Sequence, residues 1–257
     1  MKMITVAGTP SSGKTAVISH LARRLLAEGV RVAAAKFDAL ATGDDRHYAR
    51  RVGIPAIKGL GDYVCPDHYY VSNLEEVYAW GLAQSADVLF VETAGLCFRC
   101  APHVEAVPAV TVIDNLGGMD APGKMGPALS LADLVVVTKG DMVSQAEKEV
   151  FAYNVRQANP TAAIIHFNGL TGTGVVLLKR IVAGWPPVTE PVHRRLRYSM
   201  PAAICSYCTG EVRVGQPYQS GNVKKIAIAP QGGSVRTTAA CRAAEKGCCH
   251  APDVDEH

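Results

Sequence analysis

Val6-Ala7-Gly8-Thr9-Pro10-Ser11-Ser12-Gly13-Lys14-Thr15 contains a complete G-x-x-x-x-G-K-T loop, and its neighbours decide the fold. Upstream, Met3-Ile4-Thr5-Val6-Ala7 reads as a buried strand, and downstream Ala16 to Leu26 carries apolar residues at helical spacing. A strand, a tight glycine turn and a helix in that order aim successive backbone N–H groups at phosphate oxygens. Lys14 then reaches the outer phosphates and Thr15 offers its hydroxyl to Mg²⁺. Gly8, Ser11, Ser12, Gly13, Lys14 and Thr15 are therefore candidate triphosphate-binding residues, with Lys14 also a candidate catalytic group.

Working outward, strand-like runs at Ile4 to Ala7, Val30 to Lys36, Val88 to Glu92, Val110 to Asp114, Leu134 to Thr138 and Ala163 to Phe167 alternate with helix-like stretches. The helical stretches are Lys14 to Glu28, Asp44 to Arg51, Leu74 to Gln84, Ser144 to Ala158 and Gly174 to Ala183. Such alternation predicts an α/β fold: a doubly wound, mostly parallel sheet with helices on both faces, of the P-loop NTPase kind. Ligands in these folds sit at the carboxyl ends of the strands, so the motif loops are expected to converge on one face. The pattern stops at Trp185-Pro186-Pro187, which divides the chain into a nucleotide domain over 1–187 and a Cys-rich extension over 188–257. The extension has too little apolar matter for an ordinary core and is expected to dock on the main domain or to be stapled by metal.

The chain has 257 residues, 48% of them apolar and 19% charged, with a net charge of +3. That balance advertises no nucleic-acid surface. No charged-then-apolar leader precedes the phosphate loop and no apolar run reaches bilayer length, so a cytoplasmic protein without membrane insertion is expected. In a reducing compartment the eight cysteines read as metal or redox chemistry before disulfides.

Two further strand ends bear on the nucleotide. Thr138-Lys139-Gly140-Asp141 closes a buried run, and a carboxylate at Asp141 can accept both N1–H and the exocyclic N2–H of guanine, a pair adenine lacks, while the Lys139 stem covers the ring. Thr138 stands where Asn is usual. Asn168-Gly169-Leu170-Thr171-Gly172-Thr173-Gly174 follows another strand, and Leu170 is placed to contact the base. GTP is therefore favoured over ATP. On the phosphate side, Glu92 ends the strand in Val91-Glu92-Thr93-Ala94-Gly95 and is placed to act on Mg²⁺ or its water shell, while Gly95 lets the next loop approach the terminal phosphate. Asp38 is a second Mg²⁺-side and catalytic candidate, with a capping or surface carboxylate as its alternative.

These motifs occur in one order, together with Lys36-Phe37-Asp38, and over residues 3–183 they resemble the nickel-insertion GTPases of hydrogenase and urease, the HypB and UreG type. Thr9 supports this branch, because the related dimeric ATPases carry a Lys after the first loop glycine. The resemblance implies GTP-dependent homodimerisation and a metal carried at or near the dimer interface. It also implies a nickel role for Cys65, since urease-type members have a Cys-Pro-His triplet there; here Asp67 is inserted before His68.

The remaining cysteines form pairs. Cys97-Phe98-Arg99-Cys100, with His103 three residues on, follows the Glu92 strand, and two thiolates at that spacing can grip one soft cation beside the loop that senses the terminal phosphate. A two-fold dimer would bring four sulfurs together for Zn²⁺, Ni²⁺ or an iron–sulfur cluster. Cys205-Ser206-Tyr207-Cys208 opens the extension, and Cys241, Cys248, Cys249 and His250 close it, as either a metal-folded or a redox-active tail.

The leading expectation is a GTP-hydrolysing metallochaperone with slow intrinsic turnover that delivers a metal, nickel first, to a client metalloenzyme or its accessory proteins. A nucleotide-dependent activator carrying an iron–sulfur cluster between subunits is the alternative. A small-molecule kinase would use the same loop but gives no reason for clustered cysteines.

Overall fold

The computed structural model describes residues 1–39, 44–62, 64–95, 103–198, 211–219 and 223–228. Its elements are β1 (Lys2–Gly8), α1 (Lys14–Leu26), β2 (Val32–Asp38), α2 (Asp44–His47), β3 (Ala56–Leu60), α3 (Pro66–Ser72), α4 (Leu74–Ala83), β4 (Val88–Glu92) and β5 (Ala109–Asp114). These are followed by α5 (Ala121–Lys124), α6 (Pro127–Ser130), β6 (Leu134–Thr138), α7 (Gln145–Ala158), β7 (Ala163–Phe167) and α8 (Val175–Gly184). The seven strands lie in the order β3-β2-β4-β1-β5-β6-β7. Every neighbouring pair is parallel.

Alternation along the strands sorts side chains between two layers. Met3, Ala33, Ala35, Phe37, Leu89 and Val91 pack against Tyr70 and Leu74 of the α3–α4 layer. Ile4, Val6, Ala34, Val88, Phe90, Val110 and Val136 face the opposite way, onto Val17, Ile18 and Leu21 of α1 and Leu178 and Val182 of α8. With both faces covered, the strands are buried nearly throughout and read as apolar runs rather than alternating ones. The doubly wound expectation holds, and the sheet is parallel at every pairing.

The sequence reading missed β3 and α3. Strand β3 is a five-residue edge element, Ala-Ile-Lys-Gly-Leu, only part-buried and interrupted by Lys58 and Gly59, so it carries no apolar run. Helix α3 is short and begins at Pro66, with Cys65 at its N-cap. The Asp44–Arg51 helix is a turn of α-helix continued as a π-helical turn over Tyr48–Val52, which ends at Gly53 in the left-handed region.

The described parts of the extension dock on the main domain. Val188, Leu196, Val214 and Ile226 are buried in the same cluster as α3 and α4. Arg197 fastens this segment: its guanidinium donates to the carbonyls of Val104, Val107 and Leu131 and makes a two-pronged pair with Asp133. Asn73, between α3 and α4, donates to the Lys224 carbonyl and accepts from the Ile226 amide.

Candidate functional site

The phosphate loop leaves β1 at Gly8 and enters α1 at Gly13, which occupies the left-handed region with φ 95°. Two glycines here are sterically obligatory. A Cβ on Gly95 would lie 1.6 Å from the Gly8 carbonyl oxygen, and one on Gly8 would lie 2.0 Å from the Val112 oxygen, so the loop after β4 runs directly against the phosphate loop.

Lys14 is buried at the mouth of this turn. Its ammonium donates to the carbonyls of Gly8 at 2.9 Å, Thr9 at 2.8 Å and Ala94 at 3.4 Å. Burial lowers its pKa to about 8, with Glu92 opposing the shift. An incoming phosphate favours the charged form of this amine.

Thr15, Asp38 and Glu92, the residues expected on the Mg²⁺ side, line one cleft. Thr15 donates its hydroxyl to the Glu92 carboxylate at 3.0 and 3.3 Å. Two residues that the sequence reading gave no role complete the group: Lys36 donates to Glu92 Oε1 at 2.8 Å, and Tyr48 donates its phenol to Oε2 at 2.6 Å. Lys36 also lies 3.9 Å from Asp38 Oδ2. The register explains the meeting, because Lys36 and Glu92 are direct cross-strand partners on β2 and β4. A lysine inside the otherwise apolar run Val32-Ala33-Ala34-Ala35-Lys36-Phe37 was the available signal. Ser11, Gly13, Lys14, Thr15, Lys36, Asp38, Glu92 and Ala94 line one cleft of about 470 Å³. The hydroxyl of Thr15 and the carboxylates of Asp38 and Glu92 form an oxygen-donor set of the kind a hard divalent cation prefers.

A second cavity of about 270 Å³ adjoins the first through Gly13 and Ala16, and its other walls include Thr138, Lys139, Asp141, Met142, Asn168 and Leu170. It gathers the residues that the sequence assigned to a base. Lys139 lies in the left-handed region and sits 3.6 Å from Asp114. Thr138 does not face this pocket alone. Its buried hydroxyl donates to the Ser12 carbonyl at 2.6 Å, and its own carbonyl accepts from the Asn115 side chain at 2.6 Å. The strand end is thereby tied to the phosphate loop.

A profile of the family described as CobW/HypB/UreG, nucleotide-binding domain, matches residues 2–166. The chain belongs to this family. Among similar proteins, an uncharacterized protein of Methanocaldococcus jannaschii is 42% identical over 226 residues, covering 88% of this chain and 96% of that one. The urease accessory protein UreG of Mycolicibacterium gilvum is 27% identical over 197 residues, covering 70% of this chain and 93% of that one. In three dimensions the hydrogenase maturation factor HypB from Archaeoglobus fulgidus superposes with a TM-score of 0.56 at 22% identity, covering 72% of this chain and 89% of that one. HypB from Helicobacter pylori, in complex with nickel, gives 0.55 at 17% identity, with 71% and 86% covered. Both structural likenesses speak for the fold.

The soft-metal candidates separate. Cys65 is partly exposed at the start of α3, and His68, one turn on, is fully buried with Nε2 2.9 Å from Glu211 Oε1. His103 is also a core residue: Nε2 donates to the Ala128 carbonyl at 2.9 Å and Nδ1 meets the Thr5 hydroxyl at 3.3 Å. Burial lowers its pKa to about 4. The Cys97/Cys100 and Cys205/Cys208 pairs lie outside the described residues. Among the described residues no group of three or more His, Cys, Asp or Glu is gathered to hold a metal. No described helix is long and apolar enough to cross a membrane.

Proposed function

We propose that this protein is a GTP-hydrolysing metallochaperone whose nucleotide state controls a homodimer that delivers a metal, nickel first, to a client metalloenzyme. The observation that carries the nucleotide part is the pair of adjoining cavities, one lined by Lys14, Thr15, Asp38 and Glu92 and the other by Lys139, Asp141 and Leu170. A triphosphate and a purine fit that division of charge and apolar wall. Membership of a family that includes UreG and HypB supports the metal part.

In this reading the phosphates take over the Lys14 ammonium from the carbonyls of Gly8, Thr9 and Ala94, and the N–H groups opening α1 face the same oxygens. Asp141 accepts from the guanine edge, and the Lys139 stem and Leu170 flank the ring. Thr15, Asp38 and Glu92 would hold Mg²⁺, which when bound neutralises charge on the phosphate oxygens. Gly95 couples terminal-phosphate occupancy to the loop that leads to Cys97 and Cys100, so nucleotide state and metal affinity would be linked.

Phosphate release from GTP and ATP by the wild-type protein and Lys14→Ala tests the first part. Slow release that prefers GTP and is lost in the variant is expected; equal use of ATP, or an unaffected variant, overturns it. Nickel, zinc and iron stoichiometry with a GTP analogue and with GDP, in wild type and in Cys97→Ser and Cys100→Ser, tests the second. Metal held equally in all of these overturns the carrier reading.

A further inference from the structure

The loop that follows β7 is closed on itself. The Asn168 side-chain oxygen accepts from the amides of Leu170 at 2.8 Å and Thr171 at 3.0 Å. The Asn168 carbonyl accepts from the Gly172 amide at 2.8 Å, and its own amide donates to the Thr173 carbonyl at 3.0 Å. These bonds leave Leu170 at the tip, 86% exposed, on the wall of the cavity that the nucleotide reading gives to the purine. A turn bonded to itself fixes its own shape but not its angle to the rest of the domain.

That angle is set from α1. His20 is half-buried on this helix, one turn after Ala16, so the two share a helical face. Its Nε2 stands 3.0 Å from the Gly169 carbonyl oxygen, which can only accept, so this nitrogen carries the proton and donates. The ring also meets Phe167, the last residue of β7, edge to face at 5.8 Å between centroids. Gly172 leaves room for it: residue 172 lies in the left-handed region at φ 76°, and a Cβ there would stand 2.6 Å from His20 Nδ1. Gly169 rests over Ala16, where an added Cβ would come 3.3 Å from the Ala16 Cβ, and Ala16 itself lines the purine cavity. The helix that opens at the phosphate loop therefore also carries the floor on which the Leu170 loop sits.

Resting on the nucleotide reading, we propose that His20 is a positioning residue for the purine: it fastens the loop over 168–173 to α1 so that Leu170 covers the ring face. His20 acts through Leu170 on the face of the base and not on its edge. Its effect is therefore the same for any purine and absent for a ligand without a base. The base is remote from the terminal phosphate, so bound substrate and transition state gain alike, which places the effect in KM and not in kcat.

The test uses the full-length protein with GTP, ITP, ATP and inorganic tripolyphosphate as probes, in wild type, His20→Leu and His20→Gln. Loss of the anchoring bond in His20→Leu should weaken GTP, ITP and ATP alike by about fivefold, raise KM for GTP by the same factor and leave tripolyphosphate binding unchanged. His20→Gln, whose side-chain amide can still donate to the Gly169 carbonyl, should restore wild-type values. Three results overturn the proposal: unchanged nucleotide affinity in His20→Leu, an equal loss for tripolyphosphate, or a Gln variant as weak as the Leu variant. A loss confined to GTP also overturns it, because that would make His20 a reader of the base edge. Amide hydrogen exchange over 168–174 in the nucleotide-free protein judges the anchor separately. Exchange about fivefold faster in His20→Leu and normal in His20→Gln supports it, and unchanged exchange in the Leu variant overturns it. If wild type holds GTP no more tightly than tripolyphosphate, the purine reading fails, while the exchange comparison still decides whether His20 holds the loop.

Discussion

Thr138→Val is the sharpest probe of how the base side and the phosphate side of the site are joined. The substitution keeps the branched shape at a buried position and replaces one hydroxyl by a methyl. It deletes the 2.6 Å bond to the Ser12 carbonyl, which lies inside the phosphate loop. A buried carbonyl left without its donor costs about 1–3 kcal/mol. A mid-range loss of about 2 kcal/mol lowers Tm by about 4–8 °C in a domain of this size. If about half of that falls on the ordering of the loop, nucleotide affinity drops about fivefold. Thermal unfolding and equilibrium binding of a fluorescent GTP analogue measure the two effects, with Thr138→Ser as the hydroxyl-retaining control. Because Asp141, rather than Thr138, is the proposed reader of the base edge, the GTP-to-ATP preference should not move. A Val variant matching wild type in both Tm and affinity, or one that loses base selection, refutes the assignment of Thr138 to the tie.

Asp141→Asn should cut the GTP-to-ATP preference by about 10–150-fold, through loss of charge-assisted acceptance worth about 1.5–3 kcal/mol, as measured by competition binding. Gly95→Ala should depress GTP hydrolysis and Tm together, since its Cβ would meet the Gly8 oxygen at 1.6 Å; normal kinetics would show that the two loops part easily. His103 sets an acid limit on stability. Its folded pKa of about 4 lies below the usual value of 6.5, so the unfolded chain takes up the proton first. Its contribution is complete above pH 6.5 and is lost as pH falls toward 4, by about 3 kcal/mol in total. Urea unfolding across that window should show the slope, and His103→Gln should flatten it.

The sequence by itself determined the nucleotide fold, because strand–loop–helix order and the glycine and lysine spacing of the phosphate loop are local properties, set by backbone geometry over a few residues. It also located Glu92, Lys139 and Asp141, each at the end of a readable strand. Edge strand β3 and helix α3 escaped, since a short part-buried element leaves no long apolar period. Only the tertiary structure decided what surrounds these groups. Lys36, Tyr48 and Glu92 are 12 or more residues apart in the chain, and the parallel register of β2 on β4 brings the first and last together. His68 and His103, singled out in the sequence by their spacing from cysteines, are both fully buried. Burial and pairing arise from contacts distant in sequence, and it is those contacts that bring Lys36, Tyr48 and Glu92 together.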